Sequence, residues 1–122
     1  MLINLSNHPS ANWSAEQTEA AIRQFGEIVD LPFPDVAPDG DEDYITTLAT
    51  EYCSKVLEYA QTQPFTVHLM GEMTLTFALL QRLQAHSIPC VASTTRRIIT
   101  EYSDGRKESV FQFVRFRKYT LL

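Results

Sequence analysis

Phe65-Thr66-Val67-His68-Leu69-Met70-Gly71-Glu72-Met73-Thr74-Leu75-Thr76 decides the fold of this 122-residue chain. Its first six residues are a mainly apolar run of strand length. Gly71 then leads without a linker into a helical pattern that carries Leu75, Leu79, Leu80 and Leu83 on one side. So abrupt a strand-to-helix junction begins a crossover, and crossovers join parallel strands.

Working towards the N-terminus, Leu2-Ile3-Asn4-Leu5 reads as a first strand, broken by the turn formers Ser6-Asn7-His8-Pro9-Ser10. Ser14 with Gln17 three residues later is a capping-box signal, so a helix is expected over about 15–25, stopped by Gly26. Glu27-Ile28-Val29-Asp30-Leu31 gives a second strand ended by Pro32 and Pro34, and Asp35–Asp43 an acidic loop. Ile45, Leu48, Ala49, Tyr52 and Val56 then recur at helical spacing, behind acids that suit a helix N-terminus; Gln63-Pro64 ends that helix.

Towards the C-terminus, Pro89-Cys90-Val91-Ala92-Ser93 reads as a fourth strand. Ile98–Tyr102 pairs with Val110–Phe116 across the hairpin turn Ser103-Asp104-Gly105-Arg106. The expected fold is a single α/β domain over residues 1–122, a Rossmann-like three-layer sandwich. Its sheet is mostly parallel, of order about 2-1-3-4-5, and closes with an antiparallel hairpin. In such a sheet ligands bind outside the carboxyl ends of the strands where the winding reverses, here between strands 1 and 3.

Composition bounds the function. Apolar residues make up 44% and charged residues 20%, ordinary for a globular domain, and no 18-residue apolar run is present to span a bilayer. The Met-Leu-Ile-Asn-Leu-Ser start lacks the pattern of a signal peptide, so a cytoplasmic protein is expected. Cys53 and Cys90 lie far apart without metal-ligand spacing, which reads as two buried free thiols. Net charge is −5, with twelve acids against Arg23 and Lys55 in residues 1–80 and eight bases against three acids beyond. An acidic chain with one local basic region suits a compact phosphorylated ligand better than duplex nucleic acid.

Three polar segments are expected at the carboxyl edge of the sheet: Asn7–Ser10, Gly71–Thr76 and Ser93–Arg97. Gly71, Glu72, Met73, Thr74 and Thr76 open a helix whose N–H groups can hold a phosphate, with Gly71 allowing close approach. Glu72 either accepts from a ribose hydroxyl or adenine amine, or caps the helix. No Gly-rich dinucleotide or phosphate-loop motif is present. His8 can protonate a leaving oxygen or orient a ribose hydroxyl, or is simply a turn histidine before proline; Asn7 and Ser10 flank it. His68 reads as a satisfied core histidine and His86 as solvated. Ser93, Thr94, Thr95, Arg96 and Arg97 offer hydroxyls and guanidiniums for phosphodiester oxygens. Alternation sends the two arginines to opposite faces, and Arg96 is expected to reach the site. Arg115, Arg117 and Lys118 beside Phe113, Phe116 and Tyr119 read as sheet core with solvated basic tips, or as a base-stacking surface.

In layout the chain resembles the small stand-alone proteins of type III CRISPR systems that are similar to the CRISPR-associated Rossmann-fold (CARF) domain. The features are the Asn7-His8-Pro9-Ser10 turn, Gly71-Glu72-Met73-Thr74-Leu75-Thr76 after the third strand, and Ser93-Thr94-Thr95-Arg96 before the hairpin. Glu72 departs from the glycine- and lysine-rich turn of the larger sensor domains. The resemblance implies a homodimer that binds cyclic oligoadenylate across its two-fold axis and, as a ring nuclease, cleaves it without metal or cofactor. It further implies that Arg96 with Ser93 or Thr94 stabilises the phosphorane, His8 orients or protonates, and the Asp35–Asp43 loop covers the site. A non-catalytic sensor or sponge, a nucleotide hydrolase with a metal on Asp30, Asp35 and Glu72, and a protein-binding adaptor are the other readings.

Overall fold

All five residues of β1, Leu2–Ser6, are buried, as expected of a strand in the middle of a sheet covered on both sides. The computed structural model describes residues 1–61 and 63–122. After β1 come α1 (Ala15–Phe25), β2 (Ile28–Asp30), α2 (Glu42–Glu58), β3 (Thr66–Met70), α3 (Met73–Ala85), β4 (Cys90–Glu101) and β5 (Lys107–Lys118). The sheet runs β2-β1-β3-β4-β5. The first four strands are parallel and β5 is antiparallel to β4.

Alternation along β1 sorts the core into two layers. Ile3 and Leu5 pack with Val67 and Leu69 of β3 against Ala49, Cys53 and Val56 of α2 and Leu75, Leu79 and Leu83 of α3. Leu2 packs on the opposite side with Ala20 and Ala21 of α1, Val91 and Phe116. Each fully buried leucine contributes about 1.5–3 kcal/mol. Local chemistry fixes the helix ends: Ser14 Oγ accepts from Gln17 N at 3.2 Å, Asp41 Oδ1 accepts from Tyr44 N at 2.9 Å, and Gly26 leaves α1 at φ +88°.

The strand order and the C-terminal hairpin are those the sequence predicts, but β4 differs. A short strand ending at Ser93 and a separate one from Ile98 are expected, whereas Cys90–Glu101 is one strand. Only Cys90 and Val91 pair with β3; Ala92 to Glu101 pair with β5 alone, so the hairpin runs beyond the sheet as a two-stranded arm. Pairing overrides the polar character of Ser93–Arg97, since β5 hydrogen-bonds to that run whatever its side chains. Thr94 pairs with Arg115 and Thr95 with Phe113, leaving Val114 as the extra residue of a bulge. Among the described residues no helix is long and apolar enough to cross a membrane.

Candidate functional site

Among the described residues the buried polar side chains are Asn4, Ser6 and His68, and they form one hydrogen-bonded chain. Strand register makes it: Asp30, Asn4 and His68 are in-register partners across β2, β1 and β3. Asn4 Nδ2 donates to Asp30 Oδ1 at 2.8 Å and to the His8 carbonyl at 2.9 Å. Neither acceptor can donate, so the amide has one orientation and its Oδ1 must accept. It does so from Ser6 Oγ at 2.7 Å and from His68 Nδ1 at 2.9 Å. Nδ1 therefore carries the proton and Nε2 a free lone pair. His68 is 1% exposed and its Nε2 has no hydrogen-bond partner. Burial, reinforced by the charge of nearby His8, pushes the imidazole down to about 4, so it stays neutral around pH 7.

The same network clamps the turn after β1. Ser10 donates through N and Oγ to the Asp30 carboxylate at 3.1 and 2.8 Å, and Trp13 Nε1 donates to the His8 carbonyl at 3.0 Å. Burial raises Asp30, but the hydrogen bonds from Asn4 and Ser10 outweigh it, leaving its carboxyl below the usual value. With its backbone held, His8 presents an exposed imidazole to the cleft.

That cleft is a cavity of about 610 Å³ between the start of α1 and the arm. Polar groups come from His8, Asn12, Gln17, His68, Ser93 and Thr95, and aromatic walls from Trp13, Phe111 and Phe113. Small-molecule sites commonly occupy ~300–1,000 Å³. Trp13 meets His68 edge to face, with ring centroids 5.3 Å apart. The bulge builds the opposite wall: by skipping Val114 it turns Phe113 and Phe111 to the side that Phe116 occupies. The terminal aromatics are thus divided, Phe116 in the core and Phe113 on the cleft, while Arg115, Arg117 and Lys118 are exposed.

Alternation along β4 places Ser93, Thr95 and Arg97 on the cavity side, since their β5 partners are Phe116, Phe113 and Phe111. Arg96 pairs with Gln112 and shares the other side with Thr94, so the expectation that Arg96 faces this cleft is corrected; Arg97 lies on the cavity side of the arm but is not among the residues that line the cavity. Thr94 acts within the arm, where its Oγ1 donates to the Arg115 carbonyl at 3.1 Å and lies 3.2 Å from the Arg115 N–H, both at the bulge. Arg97 Nε donates to Ser109 Oγ at 2.7 Å, and Ser93 Oγ donates to Met70 Sδ at 3.1 Å.

The expected convergence of three segments is met by two. Glu72 caps α3, its carboxylate accepting from Thr74 N, Thr74 Oγ1 and Leu75 N at 2.7–3.0 Å. Those bonds, led by that from Leu75 N, hold its carboxyl below the usual value. The space a Cβ would take at Gly71 is filled by the Phe33 ring. Met73 is 82% exposed, Thr74 lines a separate small cleft with Asp41 and Thr46, and Thr76 Oγ1 is unpartnered. Asn7 is exposed, its N–H on the Met70 carbonyl at 3.3 Å. Asp30, Asp35 and Glu72 do not come together: among the described residues no group of three or more His, Cys, Asp or Glu is placed to hold a metal ion. Cys53 and Cys90 are free and buried, and burial pushes Cys90 up to about 12.

Sequence reasoning did not single out Asn4 or Trp13, and it read His68 as a satisfied core histidine, which is buried as expected but has an unpartnered Nε2. The signal was the alternation itself, with Asn4 and His68 opposite the apolar Ile3, Leu5, Val67 and Leu69 in two strands destined to be covered on both faces. A polar row there requires a partner or a ligand. No curated protein and no solved structure matches the chain. Residues 1–117 match the family described as "Uncharacterized protein MJ1673 family", and the chain belongs to that family.

Proposed function

We propose that this member of the MJ1673 family binds cyclic oligoadenylate in the cleft between α1 and the arm, and cleaves the ring as a ring nuclease of type III CRISPR signalling. The observation that carries the reading is the composition of that cleft, with stacking surfaces from Trp13, Phe111 and Phe113 beside His8, Ser93 and Thr95, and with Arg97 further along the same side of β4, outside the lining. Aromatic walls take bases and the cation takes phosphate, which together match a nucleotide. A cytoplasmic site of action goes with this ligand.

Two copies would share one ring. The arm leaves Ile98 and Val110 exposed on one side and Ile99 and Phe111 on the other, apolar residues that a second copy can cover. Its basic residues complement the acidic residues 1–80, and a two-fold axis suits a symmetric ring.

Cleavage follows from position. The ribose 2′-oxygen attacks its adjacent phosphorus and gives up its proton to solvent; the O2′–P bond forms as the P–O5′ bond breaks. Arg97, with the hydroxyls of Ser93 and Thr95, neutralises charge on the phosphoryl oxygens, the role first expected of Arg96. His8 delivers a proton to the departing 5′-oxygen. The products are a 5′-hydroxyl and a 2′,3′-cyclic phosphate.

The test is incubation of purified protein with cyclic tetra- and hexa-adenylate in EDTA, with products separated by chromatography. Linear products ending in 2′,3′-cyclic phosphate support the nuclease; an intact ring after long incubation removes it. A binder without turnover is the second reading, favoured by the single exposed imidazole, His8, among the described cavity residues. Tight binding of an uncleaved ring identifies that case.

A further inference from the structure

We propose that the side of the arm turned away from the cleft is a docking surface for the acidic loop, residues 35–43, of a second copy of this chain. The proposal rests on the two-copy part of the reading above, adds the surfaces that join the chains, and requires no nucleotide. The first observation is that the arm is a ribbon with one side bare. Residues 94–101 of β4 pair with β5 alone, so the ribbon extends about 26 Å past the sheet at ~3.3 Å per residue. A two-stranded ribbon is marginally stable in water by itself and needs a packed face. On the cleft side Phe111 and Phe113 share a cavity with Trp13. On the other side Ile98 and its cross-strand partner Val110 are 41% and 49% exposed.

The second observation is charge. The bare side also carries Arg96, Arg115 and Arg117, nearer the body than the Ile98 and Val110 pair, and among the described residues none of these arginines has an ion-pair partner. Residues 92–118 hold seven bases against three acids, whereas residues 1–91 hold three bases against twelve acids, so the arm of one copy attracts the body of another. The loop has the inverse composition of the bare side. Asp35, Asp39, Asp41, Glu42 and Asp43 are exposed, surround the apolar Val36, Ala37 and Pro38, and among the described residues have no ion-pair partner. The loop begins at the carboxyl edge of the sheet, where Phe33 N donates to the carbonyl of Ser6, the last residue of β1, at 3.4 Å. The arm leaves from that same edge, as the continuation of β4. Two copies placed edge to edge therefore make the contact twice, arm on loop and loop on arm.

The experiment is sedimentation velocity, without nucleotide, on wild type, on the arm variant Arg96→Glu/Arg115→Glu and on the loop variant Asp35→Lys/Asp39→Lys. All four side chains are exposed, and circular dichroism checks folding. The wild type is expected to be a dimer that added salt weakens. Each variant alone sets like charges against each other at both contacts, and its dimer is expected to be about 100-fold weaker. An equimolar mixture of the two restores the dimer, because both of its contacts again join opposite charges. Arg96→Ala, which removes one charge from the face, leaves the dimer formed at titration concentrations. A monomeric wild type, variants that associate as the wild type does, or a mixture that stays monomeric would each overturn the docking. Calorimetry with cyclic tetra-adenylate on the same wild-type samples decides the nucleotide reading separately.

Discussion

Acid should weaken this protein at a pH where its carboxylates are still ionised, because His68 is buried neutral. Its imidazole falls from the ordinary 6.5 to about 4 on folding, through burial and then the charge of His8. A group with a lowered folded value binds fewer protons folded than unfolded between those two values. Its stabilisation is therefore fully present above about pH 6.5 and is lost as pH falls towards 4. At ~1.36 kcal/mol per pH unit the gap corresponds to about 3 kcal/mol, a large share of a stability of ~5–15 kcal/mol. Asp30 and Glu72, both below their usual values, contribute stability that is present above about 4 and lost at lower pH, so the windows separate. The assay is urea unfolding of wild type and His68→Phe at half-unit steps from pH 7.5 to 4. His68→Phe is less stable at pH 7 because Asn4 Oδ1 loses a donor, but its stability stays nearly flat to pH 4.5, and the two curves approach each other in acid. Parallel curves from pH 6.5 to 4.5 would refute the reasoning.

Arg97→Ala should weaken binding of cyclic tetra-adenylate roughly tenfold, whereas Arg96→Ala, on the other side of β4, leaves it within twofold; the reverse order in calorimetry would return Arg96 to the site. Gly71→Ala places a methyl 2.5 Å from the buried Phe33 ring, and thermal unfolding should show a loss of about 1–3 kcal/mol with unchanged ligand affinity. Unaltered stability would mean that the ring yields freely. Asp41→Ala removes the cap on Tyr44 N and should cost about 1 kcal/mol, read by the same measurement.

The architecture was legible because its signals are local and agree with one another. The capping pair Ser14 and Gln17 and the positive φ at Gly26 lie where the sequence places the ends of α1. The fused strand and helix around Gly71 imply a parallel crossover, and the observed order β2-β1-β3-β4-β5 follows. The site was harder to read because it depends on pairing across strands. One bulge at Val114 decides which side Phe111 and Phe113 take, and no local propensity announces it. Gly71 read as a point of ligand approach, yet packing uses its missing side chain to admit Phe33. His68 read as a core histidine, and its burial is as that reading requires. Its unpartnered Nε2 emerges only once Asp30, Asn4 and His68 are aligned on three strands.

Trp13 is the sole tryptophan of the chain and lines the cleft, so its fluorescence reports on that site alone. Titration with cyclic tetra- and hexa-adenylate, followed by tryptophan emission and by calorimetry on the same samples, tests the central claim most directly. The account predicts a saturable change in Trp13 emission whose midpoint coincides with the calorimetric one, at one ring per two chains. Calorimetric binding with unchanged Trp13 emission would place the ligand elsewhere, and no binding of either ring would contradict the account.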